Sequence, residues 1–155
     1  MIYRRLLGVL LLSILILCKS TSIPAEDEKE VKTPANKSAD IDYAQVVNVD
    51  MIQSKNGSWC VYTTVRHNDE GWDHYANAWQ VLDMQGNEIA WRLLGHPHDD
   101  EQPFERDQCA VSIPPGVSKL IVQAKCNVHG FGGQTVTVDM SVPEGEKFTV
   151  GRAKQ

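Results

Sequence analysis

Basic residues are scarce in this chain of 155 residues, with 15 Lys and Arg against 20 Asp and Glu, a formal charge of −5. Binding a polyanion needs clustered cations that release counterions, so nucleic acid is not the expected partner. Long apolar runs are missing beyond the N-terminus, and the mature chain therefore carries no segment able to span a bilayer. Missing too are the His-Glu-x-x-His helix, paired Cys-x-x-Cys knots, a nucleophile elbow and a phosphate-cradling glycine loop. Each would announce an enzyme or a zinc fold, and without them the chain reads as a binding module and not as a catalyst. No internal repeat is found.

The N-terminus is of a different kind. Arg4 and Arg5 precede an apolar run over 6–18, followed by Lys19 and the small polar residues Ser20, Thr21 and Ser22. This is the pattern of an export signal over 1–22, too short in its apolar part for a membrane anchor. The expected location is secreted or periplasmic, with a membrane tether should Cys18 carry lipid; the bulky Leu17 before it disfavours that. Removing the signal leaves 12 basic against 20 acidic groups, so the mature chain is more acidic than its precursor. Residues 23–41 are charged, poor in aliphatics and aperiodic, and cannot bury enough surface to offset ordering entropy. They are expected to be a disordered linker.

From residue 42 the composition turns to short runs of Val, Ile, Thr, Trp and Tyr between turn residues. The predicted strands are 45–53, 59–66, 78–84, 88–94, 108–113, 119–126 and 134–140, the spacing of an all-β, immunoglobulin-like antiparallel sandwich of about seven strands over 42–145. Asn56-Gly57 and Gln85-Gly86-Asn87 supply hairpin turns, and Pro114-Pro115-Gly116 stops ladder pairing. Residues 146–155 read as a flexible tail.

Alternation assigns the core, because successive strand side chains switch faces. Trp59, Val61, Thr63 and Val65 form one line; others are Trp79 with Val81, then Ile89, Trp91 and Leu93, then Cys109, Val111 and Ile113. Leu120, Val122, Ala124 and Cys126 form a further line, as do Val136, Val138 and Met140. An exported chain lives where disulfides persist. Cys109 and Cys126 both point inward on this count and are the expected bridge. The rival is Cys60 with Cys126, which with Trp79 between them imitates the cysteine, tryptophan, cysteine order of antibody domains. With the expected bridge, the remaining thiol lies near no histidine.

All five histidines fall outside the core lines. If consecutive strands alternate direction, the connections 66–77, 95–107 and 127–133 emerge at one end of the sandwich. They hold His67 and His74, His96 and His98, and His129; the opposite loops hold none. Loops on a rigid scaffold are where binding sites are built. The sharpest chemistry is His96-Pro97-His98: in an extended segment both imidazoles face one side, and Pro97 stiffens the backbone between them. Imidazole suits copper and zinc, so the expected ligands are His96 and His98, completed from His67, His74, His129 and Glu101. Asp69, Asp73 and Asp99 are placed to accept the outer imidazole N–H groups. The competing expectation is a metal-free network of His–carboxylate ties, on a surface that recognises an envelope protein through Trp72, Tyr75 and Phe131. Gln102-Pro103-Phe104-Glu105-Arg106 returns the chain to the next strand, with Phe104 plugging the sandwich end and Arg106 pairing locally.

The combination His67-x-Asp69, Gly71-Trp72-Asp73-His74-Tyr75, His96-Pro97-His98-x-x-Glu101-Gln102-Pro103-Phe104 and His129-Gly130-Phe131-Gly132-Gly133 resembles a group of small secreted bacterial domains without an assigned activity. The resemblance spans about 58–140. It implies that the three loops act as one unit on an immunoglobulin-like scaffold in the envelope.

Overall fold

The computed structural model describes residues 42–152. The expected signal over 1–22 with Cys18, the expected linker over 23–41 and the last three residues lie outside the described residues. Ten strands form two sheets. The first sheet contains β1 (Gln45–Gln53), β2 (Trp59–Arg66), β5 (Phe104–Val111), β9 (Glu144–Gly145) and β10 (Phe148–Arg152), in the order β5-β2-β1-β10-β9. The second contains β3 (Ala76–Asp83), β4 (Glu88–Leu93), β6 (Lys119–Cys126), β7 (Gly130–Phe131) and β8 (Val136–Asp139), in the order β4-β3-β6, with β7 and β8 both pairing β6. All pairings are antiparallel except β1 with β10. Strands 2 and 5 share one sheet while 3 and 6 share the other, which is the immunoglobulin-like Greek key.

The core lies between the sheets. Val46, Val49, Met51, Val61 and Val65 face Trp79, Val81, Leu120, Val122, Ala124, Val136 and Val138, all buried. Burying side chains of this size stabilises by about 1.5–3 kcal/mol each before entropy is subtracted. The alternation read for β2, β3, β6 and β8 therefore holds.

It fails where a bulge resets the phase. Between Trp59↔Val111 and Val61↔Gln108 the β2–β5 register slips, and Ala110 takes a positive φ of 59°. Phe104 and Val111, seven residues apart, both point inward, while Cys109 turns outward. The disulfide is consequently Cys60–Cys109, across neighbouring strands. This corrects the expected Cys109–Cys126 pair and its rival Cys60–Cys126, because Cys126 stands on the other sheet, buried and free. A second slip, between Val81 and Leu82, turns β4 over. Trp91 and Leu93, read as core, are 38% and 65% exposed on the outer face. Finally, Phe148–Arg152, read as part of a flexible tail, are the strand β10.

Candidate metal centre

Alternating strand direction does bring the three histidine-bearing connections to one end. There they are sewn together by three polar side chains. The buried Asp69 carboxylate accepts the amide of Ala76 at 3.0 Å and the amide of His98 at 2.6 Å. The Gln102 side chain accepts the amide of His67 at 3.0 Å and donates to the carbonyl of His98 at 3.2 Å. Asn127 donates to the carbonyls of Trp72 and Asp73 and accepts the amide of Tyr75 at 2.8 Å. Loop carbonyls and amides that no sheet can satisfy thus find side-chain partners, as buried or half-buried backbone must.

The five rings nevertheless form two groups. In the first, His67, His74 and Cys126 each offer a ligand atom, and these atoms lie within 4.8 Å of one another. The His67 and His74 rings meet edge-on at 4.6 Å between centroids, and His74 meets His129 at 4.8 Å. His129 Nδ1 lies 3.6 Å from Cys126 Sγ, while the His129 amide donates to that sulfur at 3.1 Å. In the second group His96 and His98 stand 4.4 Å apart at the ring centroids, but both are occupied. His98 Nδ1 meets Glu101 Oε1 at 2.6 Å and the Arg106 guanidinium at 3.1 Å, and its ring stacks on Phe104 at 3.9 Å. His96 Nδ1 turns onto the carbonyl of Pro97 at 2.8 Å. The expected His96, His98 and Glu101 set therefore has both Nδ1 atoms and the carboxylate engaged within the protein, and the ligand-spaced group among the described residues is His67, His74 and Cys126. Glu101 is tied to Arg106 at 2.6 Å, and these contacts hold its carboxyl below the usual glutamate range, first through His98 and then through Arg106. A guanidinium beside the imidazole makes this a poor place for a further cation.

The main chain supplies an oxygen to the first group. The Asp42 carbonyl lies 3.2 Å from His67 Nε2, 3.3 Å from His74 Nε2, 2.9 Å from His129 Nδ1 and 3.4 Å from Cys126 Sγ. Two glycines let the start of β1 come this close. A Cβ on Gly132 would lie 2.6 Å from the Tyr43 ring, and one on Gly133 would overlap the Ala44 carbonyl.

Four atoms converge on one carbonyl oxygen, which has only two lone pairs. His67 makes the conflict explicit. Its Nδ1 meets Asp69 Oδ1 at 2.6 Å, so the single N–H of a neutral imidazole is taken by the carboxylate. In that neutral form Nε2 presents a lone pair beside the Asp42 oxygen, an arrangement suited to a cation, whereas a charged ring would donate to the same oxygen. Burial opposes the Asp69 charge most strongly, but the His67 ring and the two amides outweigh it, and the carboxyl sits below the usual aspartate range. That carboxylate–imidazole tie is the outer support that fixes the tautomer of a metal-bound histidine. His74 has the same sense, with Nδ1 toward Glu70 at 3.7 Å.

Of the expected outer carboxylates, Asp69 meets an imidazole, that of His67. Asp99 is exposed, and Asp73 joins the neighbouring loop through its main chain. Cys126 was not expected in this group because the disulfide was misassigned. The spacing Cys126-x-x-His129 at a strand end was its signal, since it places sulfur and imidazole on one tight turn. The Asp42 carbonyl left no trace in side-chain chemistry.

The chain is similar to a Halomicrobium mukohataei protein named "Putative lipoprotein", with 28% identity over 123 residues. The match covers 78% of this chain and 60% of that protein's length. No family model matches the chain, and no solved structure does.

Proposed function

We propose that this domain is an extracytoplasmic binding module that holds one transition-metal ion, copper or zinc, with His67, His74 and Cys126 as ligands. The observation that carries it is the convergence of two imidazole nitrogens and a thiol on the Asp42 oxygen, with Asp69 fixing the His67 ring from behind. The donor spacing suits the role. Ligands about 2.0 and 2.3 Å from one tetrahedral ion stand about 3.5 Å apart, so atoms already within 4.8 Å of one another need only a small contraction around an ion. The disulfide and the similarity to a protein named as a lipoprotein support a place outside the cytoplasm, and among the described residues no helix is long and apolar enough to cross a membrane. His67 and Cys126 are almost fully buried, leaving little room for a substrate, so the site holds its ion and does not transform a ligand.

Elemental analysis and calorimetric titration of the purified chain test this. One ion per chain, lost in the His67→Ala, Cys126→Ala double variant, is the expected result. A folded chain that takes up neither copper nor zinc at neutral pH overturns it and leaves the histidines as polar ties beneath a protein-recognition surface.

A further inference from the structure

Resting on that reading, we propose that the ion is copper and that the Cys126 thiolate binds it directly, in a trigonal shell with His67 and His74 that the Asp42 carbonyl caps weakly. Three features of the site choose copper over zinc. First, the donors number three strong ones and a main-chain oxygen. Two imidazoles and a thiolate with a weak axial oxygen are the coordination set of mononuclear copper–thiolate sites, whereas structural zinc closes its shell with four strong ligands. The third imidazole of the group does not supply that closure. His129 Nδ1 makes the shortest of the contacts to Asp42, 2.9 Å, and in the tautomer that carries the proton on Nδ1 this N–H holds the capping oxygen. Second, at a given nitrogen and sulfur site copper(II) binds more tightly than zinc, so an unselective shell fills with copper where both are present.

Third, the thiol is protected. A copper(II) ion and an accessible thiol normally end as copper(I) and a disulfide. Cys126 is fully buried, and the two other cysteines of the described residues are already bonded to one another. The amide of His129 donates to the sulfur at 3.1 Å and holds it in place. Binding is a plain exchange. The S–H bond of Cys126 breaks, a copper–sulfur bond forms, the proton passes to solvent, and neither sulfur nor copper changes oxidation state.

The test is one equivalent of copper(II) added to the metal-free full chain. An intense visible absorption from sulfur-to-copper charge transfer is expected, with a copper–sulfur stretch in resonance Raman. Cys126→Ser abolishes both, while His129→Ala keeps the absorption. The wild-type spectra stand alone should Cys126→Ser fail to fold. Copper bound with only weak ligand-field absorption, or copper reduced with disulfide-linked pairs of chains, overturns the proposal. So does zinc holding the site against an equal concentration of copper. If zinc or cobalt binds one per chain while copper gives no thiolate band, copper is the wrong ion and the metal site survives; if no ion binds, both readings fall.

Discussion

Two histidine groups share one end of this sandwich, and each contains an imidazole held by a carboxylate at 2.6 Å. What separates them is the second partner. Behind the Asp69 contact, the far nitrogen of His67 looks onto His74, Cys126 and a carbonyl oxygen, all electron-rich. On His98, the nitrogen that meets Glu101 also lies 3.1 Å from the Arg106 guanidinium, and the ring face is covered by Phe104. The same His–carboxylate pair thus backs the proposed cation site in one place and a brace in the other. The compact His-Pro-His motif, chemically the sharper in sequence, is the brace, and scattered residues from separate connections assemble the site.

The comparison breaks most directly at the ligands. The His67→Ala, Cys126→Ala pair is expected to lower metal affinity by at least two orders of magnitude in titration, more than the ~10–100-fold typical of an outer-shell change. Asp69→Asn should fall within that ~10–100-fold range, because it frees the His67 ring without removing it. It should also cost about 1–3 kcal/mol in denaturant unfolding, since the amides of Ala76 and His98 lose a charged acceptor. His98→Ala sharpens the contrast: a loss of about 1–3 kcal/mol from the buried stack and its ties, with metal affinity changed by less than about threefold. A larger fall in affinity would mean that the two groups are one site.

A smaller effect lies in pH. The folded Glu101 carboxyl is held below its ordinary value, so its stabilisation is present above the usual glutamate range, about pH 4.3, and is lost as pH falls through the depressed value. Glu101→Gln should therefore flatten the acid side of the melting-temperature profile while leaving neutral-pH metal binding intact. His96→Ala, which removes an exposed ring that meets its neighbour's carbonyl and stands beside His98, should change both measurements least.

Much of the fold was legible because burial and alternation are local. Three predicted strands, 45–53, 59–66 and 119–126, match β1, β2 and β6 at both ends. The errors came from single-residue insertions that alternation cannot see. One bulge at Ala110 moved Cys109 to the outer face and changed the disulfide; another in β4 exposed Trp91 and Leu93. The gathering of histidine loops at one end followed from strand direction alone. Which rings would meet did not, because that rests on tertiary partners: Asn127 pinning the His74 loop, Gln102 holding His67 against His98, and a main-chain oxygen from Asp42. Pairing of β10 with β1 was invisible because a short parallel strand after a glycine and charged turn has no periodic signature.

That last pairing has a practical consequence. Since β1 starts beside Arg66 and β10 runs parallel to it, the described polypeptide begins next to the histidine cluster and ends at the opposite pole, about 30 Å away along nine extended residues. A polyhistidine purification tag fused downstream of Arg152 starts far from the ligands, whereas one placed shortly before Asp42 would compete with them for the same ion.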